Sequence, residues 1–169
     1  RGERTIKQIS LNGDLNEIAS NVGGTTIGRP YISGGFHVAN GTVAYTYGRS
    51  DSPADVGVVV GDKVNVLTQL NEDILGYKKL GKVNEITYRS SFDNEEIQGW
   101  YITPPDYDPS KRYPLILEIH GGPHLAYGPH FSAELQIMAA SGYIVFYDNY
   151  LKLKLIFVNI LNKFFYIEN

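Results

Sequence analysis

"YPLILEIHGGPHLAYGPHFSAELQIMAASGYIVFYDNY", residues 113–150, carries the reading of the fold. It opens on a near-continuous apolar run, the pattern of a strand covered on both faces. A loop rich in Gly, His and Pro follows. "FSAELQIMAASG", residues 131–142, then reads as a helix. Phe131, Leu135 and Met138 recur at the spacing of one helical face, and Gly142 supplies a C-terminal cap. "YIVFYDNY" is a second buried strand. Strand, loop, helix, strand is a βαβ unit and predicts a largely parallel sheet.

Upstream, the texture is β throughout. "EITYRSSFDNEEIQGWYITPP", residues 85–105, predicts a hairpin with Asp93-Asn94 in its turn, ended by Pro104-Pro105, because proline cannot join a central ladder. "TIKQISLNGDLNEIAS", residues 5–20, predicts two short strands about Asn12-Gly13-Asp14, since Asn-Gly tolerates the positive φ of a tight hairpin turn. "DVGVVVGDKVNVLTQL", residues 55–70, repeats that design about Gly61-Asp62. Gly13 and Gly61 lie 48 positions apart, near the repeat of about 40–50 residues in a four-stranded propeller blade. An ordinary β meander is the alternative. "RPYISGGFHVANG" and "TVAYTYGRS" add strand and turn signals between the two copies.

Two local motifs fail as sites. "GGTTIGRP", residues 23–30, has Gly23 and Gly28 at phosphate-loop spacing. Arg29-Pro30 stands where Lys-Ser/Thr is needed, and Pro30 has no N–H for a phosphate, so a connecting loop is expected. His120, His124 and His130 lack a carboxylate or Cys to complete a metal set, and their spacing spans a Pro-containing loop rather than one helix face. No metal or other cofactor is expected. Cys is absent, which excludes disulfides and thiolate chemistry. A net charge of −3 gives no reason to expect nucleic acid or an anionic membrane as partner.

His120-Gly121-Gly122-Pro123 is different, because it sits at the carboxyl end of a strand, where open α/β sheets bind ligands. Two glycines let the backbone approach a ligand and aim N–H groups at it, the means by which acyl transfer stabilises an oxyanion. The four letters by themselves fit equally well a tight turn that glycine bends and proline stiffens.

Residues 84–150 taken whole resemble the prolyl oligopeptidase family of serine peptidases, in the branch of acylaminoacyl-peptidases and dipeptidyl aminopeptidases. The resemblance rests on Gln98-Gly99-Trp100, Pro104-Pro105, Lys111-Arg112-Tyr113-Pro114, His120 to Pro123 and Gly142-Tyr143. It implies β followed by α/β: residues 1–83 as the C-terminal blades of a β-propeller, and 84–150 as the N-terminal part of an α/β-hydrolase domain. It also implies a Ser-Asp-His triad and hydrolysis of short peptides, because a propeller restricts entry. In that frame Gly122 donates an oxyanion-hole N–H, Gly121 shapes the turn, and His120 and Pro123 frame it. Relatives place a donating Tyr near this turn; His120 stands there in this chain, which leaves a backbone donor. Glu95-Glu96 resembles the paired glutamates that hold a substrate amine in some dipeptidyl relatives, but it follows a hairpin turn and reads as solvated.

The triad itself is not expected within the chain. A nucleophile elbow G-x-S-x-G should follow the βαβ unit, and none of the ten Ser has Gly at both −2 and +2. The family pattern continues after Asn149-Tyr150 with Arg-Gly, where this chain has Leu151-Lys152. Residues 151–169 form an atypical tail: 13 of its 19 residues are Lys, Ile, Phe, Asn or Tyr, the types that A/T-rich codons encode. A frameshift, an unspliced intron or A/T-rich read-through is the expected origin; an amphipathic helix or edge strand is the alternative. Its three Lys argue against a membrane span.

The expectation is therefore a fragment of a serine exopeptidase, inactive by itself, whose partner in the intact protein is a short peptide substrate. Two other readings stand beside it: a non-catalytic β-rich binding or regulatory module, and an esterase or lipase with the same turn. A homo-oligomer is compatible with the resemblance. The chain begins at Arg1 rather than Met, so preceding sequence is expected, and the compartment stays open with the cytoplasm favoured.

Overall fold

A computed structural model describes residues 2–121 and 125–149. Gly122, Pro123, His124 and the tail 151–169 lie outside the described residues. The described chain is mostly β.

β1 (Ile6–Ile9) and β2 (Leu15–Ala19) form an antiparallel hairpin. Its turn uses Gly13 at φ +91°, the left-handed region that Asn-Gly predicts. β3 (Phe36–Ala39), β4 (Thr42–Tyr47), β5 (Asp55–Val60) and β6 (Lys63–Val66) form a four-stranded antiparallel meander in chain order. Asn40-Gly41 (φ +48° and +74°) and Gly61 (φ +60°) make its hairpin turns. Val43, Tyr45 and Val59 on one meander face close on Ile6, Ala19 and Val22, so the hairpin and the meander share a core. A single helical turn, α1 (Glu72–Leu75), follows; no signal in the sequence pointed to it.

The third sheet holds β7 (Val83–Arg89), β8 (Glu96–Ile102), β9 (Leu115–Glu118) and β10 (Ile144–Asp148), in the order β7-β8-β10-β9. β9 and β10 are parallel, joined through α2 (Ala133–Ala140) as the βαβ pattern requires. The other two pairings are antiparallel, because the β7-β8 hairpin attaches to β10. The sheet is mixed, where the sequence predicted a largely parallel one.

Burial corrects two further expectations. β9 is only half-buried and lies at the sheet edge among the described residues, whereas all five residues of β10 are buried. An apolar run does not distinguish an edge strand from a central one. In α2 the buried side chains are Leu135, Gln136 and Ala139; Phe131 precedes the helix, whose N-cap is Ser132, its hydroxyl accepting from the Leu135 N–H at 3.2 Å. Gln136 spends its burial on a clasp with Gly81, accepting from its N–H at 2.8 Å and donating to its carbonyl at 3.0 Å. The core between α2 and the sheet is Trp100, Ile102, Tyr127, Leu135, Ala139, Val145 and Tyr147. No helix among the described residues is long and apolar enough to cross a membrane.

Candidate functional site

Parallel pairing sets Glu118 beside Tyr147, so the carboxyl ends of β9 and β10 share one edge. His120 and Gly121 leave β9 there; Asp148 and Asn149 end β10. His120 is buried, and its Nδ1 lies 2.8 Å from the Gly121 carbonyl. Gly121 is exposed, and a Cβ placed on it would meet nothing within 4 Å. Gly122 and Pro123, the other two residues singled out in the turn, fall outside the described residues.

Tyr127 packs against the described start of this turn, at His120. Its side chain is completely buried, and its ring meets His120 edge-on at 4.8 Å. Its hydroxyl donates to Glu118 Oε1 at 3.0 Å. The Asn149 carboxamide grips its main chain twice: Oδ1 accepts from the Tyr127 N–H at 2.6 Å, and Nδ2 donates to the Tyr127 carbonyl at 2.7 Å. Burial, then the neighbouring Tyr31, pushes the Tyr127 hydroxyl up, so it stays a neutral donor. Asp148 is buried under the same edge and accepts from the Tyr88 hydroxyl. Burial pushes its carboxyl up, while the Tyr88 hydrogen bond and nearby His120 favour the ionised form.

Residues 27–32 run along the outside of residues 126–133. Ile32 N–H donates to Ala126 and Gly128 N–H to Pro30, each at 2.9 Å. The Ser132 hydroxyl reaches the Gly28 carbonyl at 2.7 Å, and Ala133 N–H reaches Ile27 at 2.9 Å. Arg29 donates to both carboxylate oxygens of Glu134, at 2.8 and 3.2 Å, and also contacts the Glu118 carboxylate. "GGTTIGRP" is a loop, as expected, and Arg29-Pro30, which disqualify it as a phosphate site, make these contacts.

His130 sits behind this segment, its ring against Gly23, where a Cβ would lie 2.4 Å away. Neither ring nitrogen has a hydrogen-bond partner among the described residues. Burial, reinforced by Arg4, pushes its pKa below the ordinary 6.5. The neutral ring's contribution is therefore present above that value and is lost as pH falls through it. The melting temperature is expected to fall between about pH 7 and pH 5, and His130→Phe to flatten that slope. An unchanged slope in the variant would assign the acid sensitivity to other groups.

Among the described residues, no group of three or more His, Cys, Asp or Glu could hold a metal ion. Glu95 and Glu96 are exposed after their hairpin turn. The sequence singled out His120 and Gly121 but not Arg29, Glu118, Tyr88, Tyr127, Asp148 or Asn149. A carboxylate inside the run "LILEIH", and another closing "YIVFYD", were the available signals. Arg29 offered none, because its partners lie about a hundred residues away.

No family model matches the chain. Among curated proteins it is similar to an uncharacterized peptidase, YuxL, of Bacillus subtilis: 34% identical over 102 residues, 60% of this chain and 15% of that protein. It is also similar to a dipeptidyl-peptidase 4 of Giardia intestinalis: 33% identical over 113 residues, 64% of this chain and 15% of that one. Among solved structures, the acylaminoacyl peptidase of Pyrococcus horikoshii superposes with a TM-score of 0.64 at 28% identity, covering 82% of this chain and 20% of that chain. The chain thus spans 15% of the length of these two curated relatives.

Proposed function

We propose that the chain is part of a serine exopeptidase of the prolyl oligopeptidase family, as its similarity to peptidases of that family supports, and that it is the segment that builds one wall of the active site without holding the nucleophile. The observation that carries this reading is the parallel β9–α2–β10 unit, with exposed Gly121 at its carboxyl edge. In the proposal residues 1–83 are the last blades of a β-propeller. The four-stranded meander and the two-stranded hairpin packed on it support this. Residues 84–150 are the first part of an α/β-hydrolase domain.

The mechanism is that of acyl transfer. A Ser outside this segment attacks the carbonyl of a short peptide while a His takes its proton. As the carbonyl oxygen becomes an oxyanion, backbone N–H groups of the turn stabilise it, Gly122 donating. Gly121 keeps the approach clear, and His120 and Pro123 set the turn's walls. No Ser in the chain lies in a G-x-S-x-G elbow, so these 169 residues do not complete the catalytic cycle.

The test is the nucleotide sequence beyond codon 150, in genome and transcript. A reading frame carrying G-x-S-x-G, then Asp and His, is expected. The protein joined through that frame should cleave dipeptidyl or N-acyl-aminoacyl chromogenic substrates. Absence of any such frame would overturn the reading.

A further inference from the structure

We propose that Arg29 is a positioning residue for Tyr127 and the His120-Gly121 end of the turn it packs against, acting through Glu118; the catalytic part of this inference rests on the peptidase reading above. Arg29 comes from the β half of the chain, on a loop far in sequence from the turn. Its guanidinium is shared between two carboxylates of unlike exposure: the Glu118 side chain is 13% exposed and that of Glu134 44%. The pair with Glu134 is bidentate, but its carboxylate is 44% exposed and solvent screens it. In the pair with Glu118 the carboxylate is the more enclosed partner while Arg29 is 35% exposed, and removing the cation leaves a largely enclosed carboxylate without its ion pair.

That charge bears directly on the turn. Glu118 accepts from the Tyr127 hydroxyl, and Tyr127 touches His120 through its ring and Asn149 through its main chain. Residues 30–32 add main-chain bonds on either side of Tyr127, at Ala126 and Gly128, and Tyr31 lays its ring 4.9 Å from that of Tyr127. Arg29 lies between Gly28 and Pro30, both anchored by those bonds. One side chain therefore ties the end of β9 to the start of α2 and, through Glu118, to Tyr127.

An oxyanion donor has to be held within about 0.5 Å of its productive place. Loosening Tyr127 is expected to cost turnover without weakening substrate binding in proportion. In the joined peptidase, Arg29→Met should lower kcat by about 10- to 100-fold with KM changed less than about 3-fold. Arg29→Lys should recover part of that loss, because it keeps a charge near Glu118 without the planar fork. Glu134→Gln, which leaves the Glu118 contact intact, should change kcat less than about 3-fold.

A second readout needs no catalysis. In the 169-residue chain, Arg29→Met should speed amide hydrogen exchange at Tyr127 and Gly128 by about tenfold or more, while the β4–β5 amides stay as in wild type. If the joined protein has no peptidase activity, the peptidase reading fails, and exchange still decides whether Arg29 holds the turn. Unchanged exchange at Tyr127 and Gly128 would overturn the inference. So would a wild-type kcat in Arg29→Met of an active enzyme. A loss in Glu134→Gln equal to that in Arg29→Met would also overturn it, placing the effect in α2.

Discussion

Trp100→Ala is expected to cost the fold about 3–5 kcal/mol, near the upper end for a single core truncation. The indole is completely buried on β8, stacked on Tyr147 with ring centroids 5.6 Å apart. The Gly2 backbone comes so near that a Cβ there would lie 2.4 Å from the indole. Its Nε1 has no hydrogen-bond partner among the described residues, so the expected loss is one of packing and cavity. A domain of this size has about 5–15 kcal/mol in total, so the variant should melt far below wild type or populate the unfolded state at room temperature. Urea unfolding followed by circular dichroism reads the loss. A change below about 1 kcal/mol would mean that this core does not carry the fold.

Gly48→Val is expected to cost about 3 kcal/mol or more, for the opposite reason. A Cβ at Gly48 would fall 2.6 Å from Gly23 C and Gly24 N, and 2.7 Å from Gly24 Cα. All three are backbone atoms, which cannot swing away as a side chain can. The two segments are bonded in place, Gly48 N–H to the Asn21 carbonyl and Gly23 N–H to that of Thr46, at 2.9 and 3.0 Å. Relief would require breaking that pairing and shifting Gly23 against His130. Gly121→Ala is the matched control. It meets no atom, and its stability should stay within about 0.5 kcal/mol of wild type in the same unfolding experiment. A Gly48 variant as stable as the Gly121 variant would refute the close approach.

The hairpins were legible because their turns announce themselves. Asn12-Gly13, Asn40-Gly41, Gly61-Asp62 and Asp93-Asn94 place residues of positive φ at four reversals, and only glycine and asparagine take that conformation cheaply. The βαβ unit was legible from the change of period between 115 and 148. Which of its strands lies at the edge was not, since that depends on what pairs with it. The candidate site divides the same way. His120 and Gly121 stand out because a glycine turn after an apolar strand is a local pattern. Arg29 and Glu134 are 105 residues apart, and nothing in either neighbourhood names the other. Asn149 reads as a polar residue after a strand; its two bonds to Tyr127 exist only once the loop has folded back. Gly121 is exposed, and a Cβ there would meet no atom within 4 Å among the described residues.

The most direct measurement of the central claim is turnover by the purified 169-residue chain on dipeptidyl and N-acyl-aminoacyl chromogenic substrates, paired with labelling by a serine-directed fluorophosphonate. The account predicts no turnover and no labelled Ser, with both appearing when the chain is joined to the segment bearing a G-x-S-x-G elbow. Hydrolysis by the 169-residue chain, with the label on one of its own ten Ser, would contradict it.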